Sequence, residues 1–326
     1  MLRLFLLSLM VMPCAHAQME SRDYEWNYAG RQLKFNLQFE ASQVRALKKV
    51  ARVREDFTAY VMEPSQRPLL DFVVSQFRGF AQQNRWSDSQ TISMMIAFVQ
   101  SLPYTHDNAT TGHDEYPRYP LETLADNGGD CEDTAILLAA LLHAMKYDVV
   151  LLKGPGHMAV GVGVSPKSKP LGNYSMTMLR QGNRNYAYLE TTGDGFQLGE
   201  FPSKCRATPA DFRIVPLVVK PIVDLEVKGK PAGTQMLLDI QLRNMGSAPA
   251  KMFVQSRVEV DPVSASVPDS RSKDFQLRAG EGATLQMACD LPLRFRRCRL
   301  LVEAVDSQTN TSLKLWQSQW VEAKNP

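Results

Sequence analysis

The sequence, 326 residues long, predicts an α+β domain followed by an all-β sandwich. Three observations lead there. Apolar residues recur at helical spacing through Phe72, Val73 and Phe77, then Ile92, Met95, Ile96 and Val99, and a near-continuous apolar run fills Thr134 to Met145. Strand-like segments follow, one opening at His157 and running to Val164, another over residues 186–192. Composition then shifts at Pro216 to Pro221, and from Ile222 onward short alternating segments are separated by turn residues.

Taken in order, Met1-Leu2-Arg3, the apolar run Leu4 to Met12, the breaker Pro13 and Ala15-His16-Ala17 form a secretory signal peptide over residues 1–17, which places the mature chain in the periplasm or outside the cell. That run is too short to span a bilayer and no other stretch qualifies, so no transmembrane segment is expected. Residues 18–65 form a lead-in: a hairpin through Glu25 to Phe39 and a basic helix from Val44 to Val53. Residues 66–218 hold helices near 68–82 and 87–101 and the two strands just named, with Tyr174 to Leu179 an added strand or part of a substrate-facing loop. Residues 222–326 read as strands at 223–227, 235–242, 251–258, 273–277, 284–288, 299–304 and 312–321, the count and spacing of an immunoglobulin-like sandwich. A net charge of +3 gives no strong electrostatic partner, and nucleic acid is excluded as a target. Arg294, Arg296, Arg297 and Arg299 form either a basic contact surface or a solvated strand edge. Cys131, Cys205, Cys289 and Cys298 remain in the mature chain, and in an exported protein Cys289 and Cys298 are placed to be bridged or left free.

The chemistry concentrates in Gly-Gly-Asp-Cys-Glu-Asp, residues 128–133, immediately ahead of the apolar helix. A thiol in the first turn of a helix lies where the dipole and unpaired N–H groups stabilise a thiolate and can receive an oxyanion. If the strands of His157 and Glu190 are antiparallel neighbours, the start of one lies beside the end of the other and the two side chains meet. Alternation puts His157, Ala159, Gly161 and Gly163 on one face. That face, stripped of bulk, is expected to receive the helix stripe of Cys131, Ala135, Ala139 and Leu142. His143 lies about 120° around the helix from Cys131 and is expected off that face. His106, Asp107, His113, Asp114 and Glu115 crowd one loop without zinc-ligand spacing, and a substrate-facing loop is expected there. Tyr104 and Tyr119 are either oxyanion donors or packing residues. Asp130, Glu132 and Asp133 oppose a thiolate beside them. The helix terminus and a protonated His157 offset them in one reading. In another, Asp130 and Glu132 hold a hard cation such as calcium, and in a third the acids are a solvated, hydrogen-bonded rim.

These residues carry a resemblance. Residues 98–107 (FVQSLPYTHD), 115–124 (EYPRYPLETL), the Gly-Gly-Asp-Cys-Glu-Asp segment, Gly-His-Met-Ala-Val-Gly-Val and Tyr-Leu-Glu-Thr-Thr together resemble the microbial branch of the transglutaminase-like superfamily over about residues 85–195. The resemblance implies a papain-like fold with Cys131 as nucleophile, His157 as general base and Glu190 as the acid that orients the histidine. Many relatives carry Asp where Glu190 stands. Lys146 stands where relatives usually have Gly, and if the backbone there is left-handed a non-Gly residue is uncommon and mildly strained. Some periplasmic cysteine proteases of the superfamily carry calcium near an Asp-Cys-Glu-Asp segment. Residues 242–250 resemble the strand turn of bacterial adhesion-related sandwich modules, implying a protein partner for the C-terminal region. The expected activity is cleavage of protein or peptide amides through a thioester, with transglutamination and a non-catalytic scaffold as the alternatives.

Overall fold

The computed structural model describes residues 18–50, 52, 57–107, 116–203, 205–261, 270–292 and 296–322. The signal peptide, His113, Asp114, Glu115 and Arg294 lie outside the described residues. Two strands open the chain, β1 (Met19–Tyr28) and β2 (Arg31–Glu40), paired antiparallel along their full length. Their strict alternation explains the arrangement: Tyr24, Trp26, Leu33, Phe35 and Leu37 are buried and the residues between them are exposed. The helices α1 (Ala41–Lys48), α2 (Thr58–Val61), α3 (Arg67–Asn84), α4 (Asp88–Gln100), α5 (Pro120–Asp126) and α6 (Cys131–Ala144) follow. Ser87 and Gln90 cap α4 reciprocally, and α3 ends on Arg85 in the left-handed region.

A second sheet contains β3 (Val149–Gly154), β4 (His157–Val164), β5 (Met178–Gln181), β6 (Arg184–Leu189) and β7 (Arg213–Pro216), in the order β5-β6-β4-β3-β7 with every pair antiparallel. Both of its faces are covered. Val149, Leu151, Met158, Val160, Val162, Ala187 and Leu189 join the large core that contains α6, α3, α4 and the β1–β2 hairpin. On the other face, Val150, Leu152, Ala159, Tyr186, Tyr188 and Phe212 form a smaller core. Helix α6 is buried nearly all round, which accounts for its lack of an amphipathic stripe.

Beyond Pro221 lie β8 (Val223–Ala232), β9 (Gln235–Asn244), β10 (Ala250–Asp261), β11 (Ser270–Arg271), β12 (Phe275–Leu277), β13 (Gly282–Asp290), β14 (Arg297–Asp306), β15 (Ser312–Gln317) and β16 (Val321–Glu322). They form a three-stranded sheet, β13-β9-β8, and a six-stranded one around β10-β14-β15. One apolar core, including Val223, Ile240, Val254 and Val302, draws residues from both.

The expected fold class is corrected by this architecture. Among the described residues the chain is mostly β, 41% strand against 25% helix, spread over several sheets, and it is not clearly the expected α+β papain-like domain. The physical reason is the sheet inventory: the N-terminal hairpin is a sheet of its own embedded in the helical core, and β7 arrives from residue 213 to close an edge of the second sheet. A second correction concerns β4. The face turned to α6 carries Met158, Val160 and Val162, whereas Ala159 lies on the opposite side. Small residues there make room for β6 aromatics: a Cβ added to Gly161 would come within 3.1 Å of Tyr186 Cβ. Cys289 and Cys298 are both buried and unbridged, on strands of different sheets. Lys146, at the end of α6, has φ +76°, so the non-Gly residue there does take the left-handed backbone. Among the described residues no helix is long and apolar enough to cross a membrane.

Candidate active site

Cys131 is the first residue of α6, and the turn before it is shaped by two glycines. A Cβ on Gly128 would stand 2.5 Å from the Pro103 carbonyl oxygen, and one on Gly129 would stand 2.5 Å from Asp133 Cβ. That close approach lets residues 103–105 run beside the turn: Thr105 N–H donates to Gly129 O at 3.0 Å, and Tyr104 forms an isolated parallel bridge with Gly129. Tyr104 is therefore held, half exposed, close enough to the thiol for the charges of Cys131 and Asp130 to act on it. Burial first and then those charges push its phenol up to about 12. His106 stacks edge-on against it at 5.1 Å. Tyr119 is a packing residue, its ring 4.7 Å from that of Tyr60.

The helix start is anchored from below by an ion-pair network that sequence reading did not find. Asp133 accepts from the Asp130 N–H at 3.3 Å and from the Arg118 N–H at 2.6 Å. Arg118, fully buried, pairs through Nη1 with Asp133 and, at 3.0 Å, with Asp107. The available signal was Arg118 within an apolar, proline-rich stretch, since a buried guanidinium demands carboxylate partners. Burial pushes the Asp133 carboxyl up while Arg118 pulls it down.

His157 opens β4 and Glu190 follows β6, and the antiparallel register that pairs Val160 with Leu189 brings their side chains together. His157 Nε2 lies 3.1 Å from Glu190 Oε2 and 3.2 Å from Oε1. Glu190 is 2% exposed. Burial pushes its carboxyl up, but the hydrogen bond and charge of His157, the Thr192 backbone and the Tyr188 hydroxyl outweigh that and hold it below its ordinary range. With Nε2 committed to Glu190, Nδ1 is the nitrogen available to a nucleophile's proton.

Two contacts tie the thiol to this pair. The backbone of Met158, next to His157, is near enough to lower the Cys131 pKa, and Thr134 in the first turn of α6 shares a 3.0 Å hydrogen bond with Thr191, next to Glu190. The thiol itself donates to Glu132 Oε2 at 3.3 Å. Its titration departs from the expected thiolate. Burial and then the Glu132 charge push the Cys131 pKa well above the usual thiol range, against the Met158 backbone. A helix terminus contributes about 0.3–1 kcal/mol, less than one pKa unit, which is about 1.4 kcal/mol, so it does not offset them.

The acids close the site on its other side. Oxygens of Asp107, Asp130 and Glu132 lie within 4.8 Å of one another. Asp107, assigned from sequence to a substrate-facing loop, thus joins the two carboxylates singled out there. Asp130 Oδ1 is buried without a hydrogen-bond partner among the described residues. Burial, then Asp130, push Glu132 up to about 8, and burial raises Asp130 as well. A buried carboxylate oxygen without a donor beside two further carboxylates is a donor set of the kind a hard divalent cation takes. His143 lies near the far end of α6, beside Val61 and Arg67. Cys205, unplaced by the sequence, lies close enough to Tyr188 for its charge to act there, as does that of Cys131.

No family model matches the chain, and no curated protein matches it. Solved structures match in part. They include a β-glucuronidase from glycoside hydrolase family 2 (14% identity, TM-score 0.24, covering 31% of this chain and 11% of that one). A β-glucosidase from Kluyveromyces marxianus in complex with glucose shows 12% identity and a TM-score of 0.22 over 32% of this chain and 15% of that one. The Pseudomonas fluorescens alkylpurine DNA glycosylase AlkC, bound to DNA containing an abasic site analog, shows 17% identity and a TM-score of 0.23 over 30% of each chain. The chain thus spans well under two thirds of the length of the structures it matches.

Proposed function

We propose that the chain is an exported cysteine acyl-transfer enzyme of the transglutaminase-like superfamily, cleaving protein or peptide amides. The observation that carries the reading is the contact of His157 Nε2 with Glu190 at 3.1 Å, with Thr191 beside Glu190 hydrogen-bonded to Thr134 in the first turn behind Cys131. In this mechanism His157 Nδ1 takes the thiol proton as Cys131 Sγ bonds to the amide carbonyl carbon. The oxyanion is received by N–H groups at the start of α6. The imidazolium returns its proton to the leaving amine as the C–N bond breaks, leaving a thioester. Water then attacks the thioester, giving its proton to His157, and the thiol is released. Glu190 keeps the imidazole in the tautomer and orientation these steps require. Asp107, Asp130 and Glu132 are the residues that would hold a calcium ion, which would neutralise the carboxylates crowding the thiol.

A second reading has its own observation: the raised thiol, bonded to Glu132, favours a protein that stays unreactive or is silent until that carboxyl is neutralised. The C-terminal sheets serve in either reading as the surface for a protein partner. Arg296 and Arg297 pair with Asp261 and Arg299 with Glu259, so these arginines are already matched within the chain. The test compares new protein termini and isopeptide cross-links in cells carrying the wild type and Cys131→Ala. Termini present only with the wild type support the peptidase, cross-links the transferase, and neither the scaffold.

A further inference from the structure

The two oxygens of Glu190 are held unequally. Oε1 accepts from the backbone N–H groups of Thr191 and Thr192, at 3.0 and 2.9 Å, and from the Thr192 hydroxyl at 2.8 Å. His157 Nε2 lies 3.1 Å from Oε2 and 3.2 Å from Oε1, and Oε2 accepts in addition from the Tyr188 hydroxyl at 2.7 Å. Donors from one tight turn hold Oε1, and the Tyr188 hydroxyl holds Oε2, so that the two oxygens are fixed from opposite sides while both face His157 Nε2. The position of that hydroxyl is set by packing: the ring is fully buried, 4.8 Å from Phe201 and 5.6 Å from Phe212, and Phe212 in turn stands edge-on to the His157 ring at 6.2 Å. The glycine at 154 exists for this cluster, since a Cβ there would come within 2.8 Å of the Phe212 ring.

We propose that Tyr188 is a positioning residue of the site, its hydroxyl turning Glu190 Oε2 toward His157 Nε2 so that Nδ1 is presented to Cys131; this rests on Cys131 being the nucleophile. Tyr188 takes no part in proton transfer. Burial and the neighbouring Glu190 push its phenol far above the ordinary range, so it acts as a fixed donor. The groups acting on Glu190 are His157 from β4, Tyr188 from β6 and the Thr192 turn.

The test uses the full chain and two readouts: the titration of Glu190 followed by its 13Cδ shift, and the rate of Cys131 alkylation by iodoacetamide at fixed pH. Tyr188→Phe keeps the ring and deletes the hydroxyl. It is expected to raise the Glu190 midpoint by about one pH unit and to slow alkylation about tenfold, the scale of one hydrogen bond to a charged group. Incorporating 3-fluorotyrosine, a stronger donor of nearly the same shape, moves the midpoint down. Phe201→Leu, which loosens the ring and keeps the hydroxyl, lowers the Tm and moves the midpoint in the same direction but by less than Tyr188→Phe does. A midpoint unmoved in Tyr188→Phe, one moved equally by Phe201→Leu, or a moved midpoint with unchanged alkylation overturns the proposal. A Cys131 no more reactive than Cys205 in both the wild type and Glu132→Gln overturns the nucleophile assignment instead, whatever Tyr188→Phe does.

Discussion

At the scale of single residues, the site sets two demands against each other at Cys131. The Met158 backbone and the helix start favour a thiolate, while burial and Glu132 oppose it, and the opposition wins. Relieving it should therefore wake the thiol. Glu132→Gln removes the charge and is expected to accelerate Cys131 alkylation about tenfold at neutral pH, the equivalent of about one pKa unit. His157→Ala is expected to slow the same reaction. Competition with iodoacetamide, followed by peptide mass spectrometry, reads Cys131 against Cys205 in one sample. Equal labelling of the two in every variant would remove the nucleophile.

Elements fix where these residues stand. The α6 start depends on Gly129, which lets residues 103–105 and Asp133 close around it. Gly129→Ala forces a Cβ against Asp133 and is expected to cost about 1–3 kcal/mol, the range for overpacking a tight site. The loss should appear in urea unfolding together with slower Cys131 alkylation. Unchanged stability would mean that the turn yields without strain. The meeting of His157 and Glu190 was legible on the condition that their strands are antiparallel neighbours, because both motifs sit at strand ends; the structure supplied that pairing. Which side of β4 meets α6 was not legible. The small residues suited a close helix equally well as they suit Tyr186 and Tyr188, and only the neighbouring strand decides between those fillings.

Across the molecule, the acidic cluster should govern how stability responds to pH. Glu132 has its folded pKa raised from 4.5 to about 8. A raised carboxyl contributes stability that is full below its unfolded value and lost as pH rises through the folded one, here between about 4.5 and 8. In a chelator, the Tm is expected to fall across that window. Glu132→Gln should flatten the fall, and calcium should reverse it with release of protons, since binding requires the ionised ligands. A Tm profile indifferent to both calcium and the substitution would return the acids to a solvated rim. The two large cores share no residue across Pro216–Pro221, so a fragment of residues 18–217 is expected to fold and keep Cys131 reactive. Its Tm should drop modestly, because Leu47, Val50 and Leu121 line a cavity of about 330 Å³ shared with Arg243, Met245 and Gly280. A fragment that precipitates would make the C-terminal sheets part of one cooperative unit.

The sequence by itself determined the local matters: the helix that begins at Cys131, the strand that opens at His157, the strand segment that carries Glu190 near its end, and the alternating C-terminal strands. Each is written in residues near one another in the chain, through periodicity, capping and turn chemistry. Tertiary structure alone decided the rest. It seated the N-terminal hairpin within the helical core and made the chain mostly β. It joined Asp107 to Asp130 and Glu132, set Arg118 under the helix start, and brought Tyr188, Phe201 and Phe212 around Glu190. The reason is physical: these contacts join residues from separate elements, and their energies come from burial and pairing across space, which no local pattern encodes.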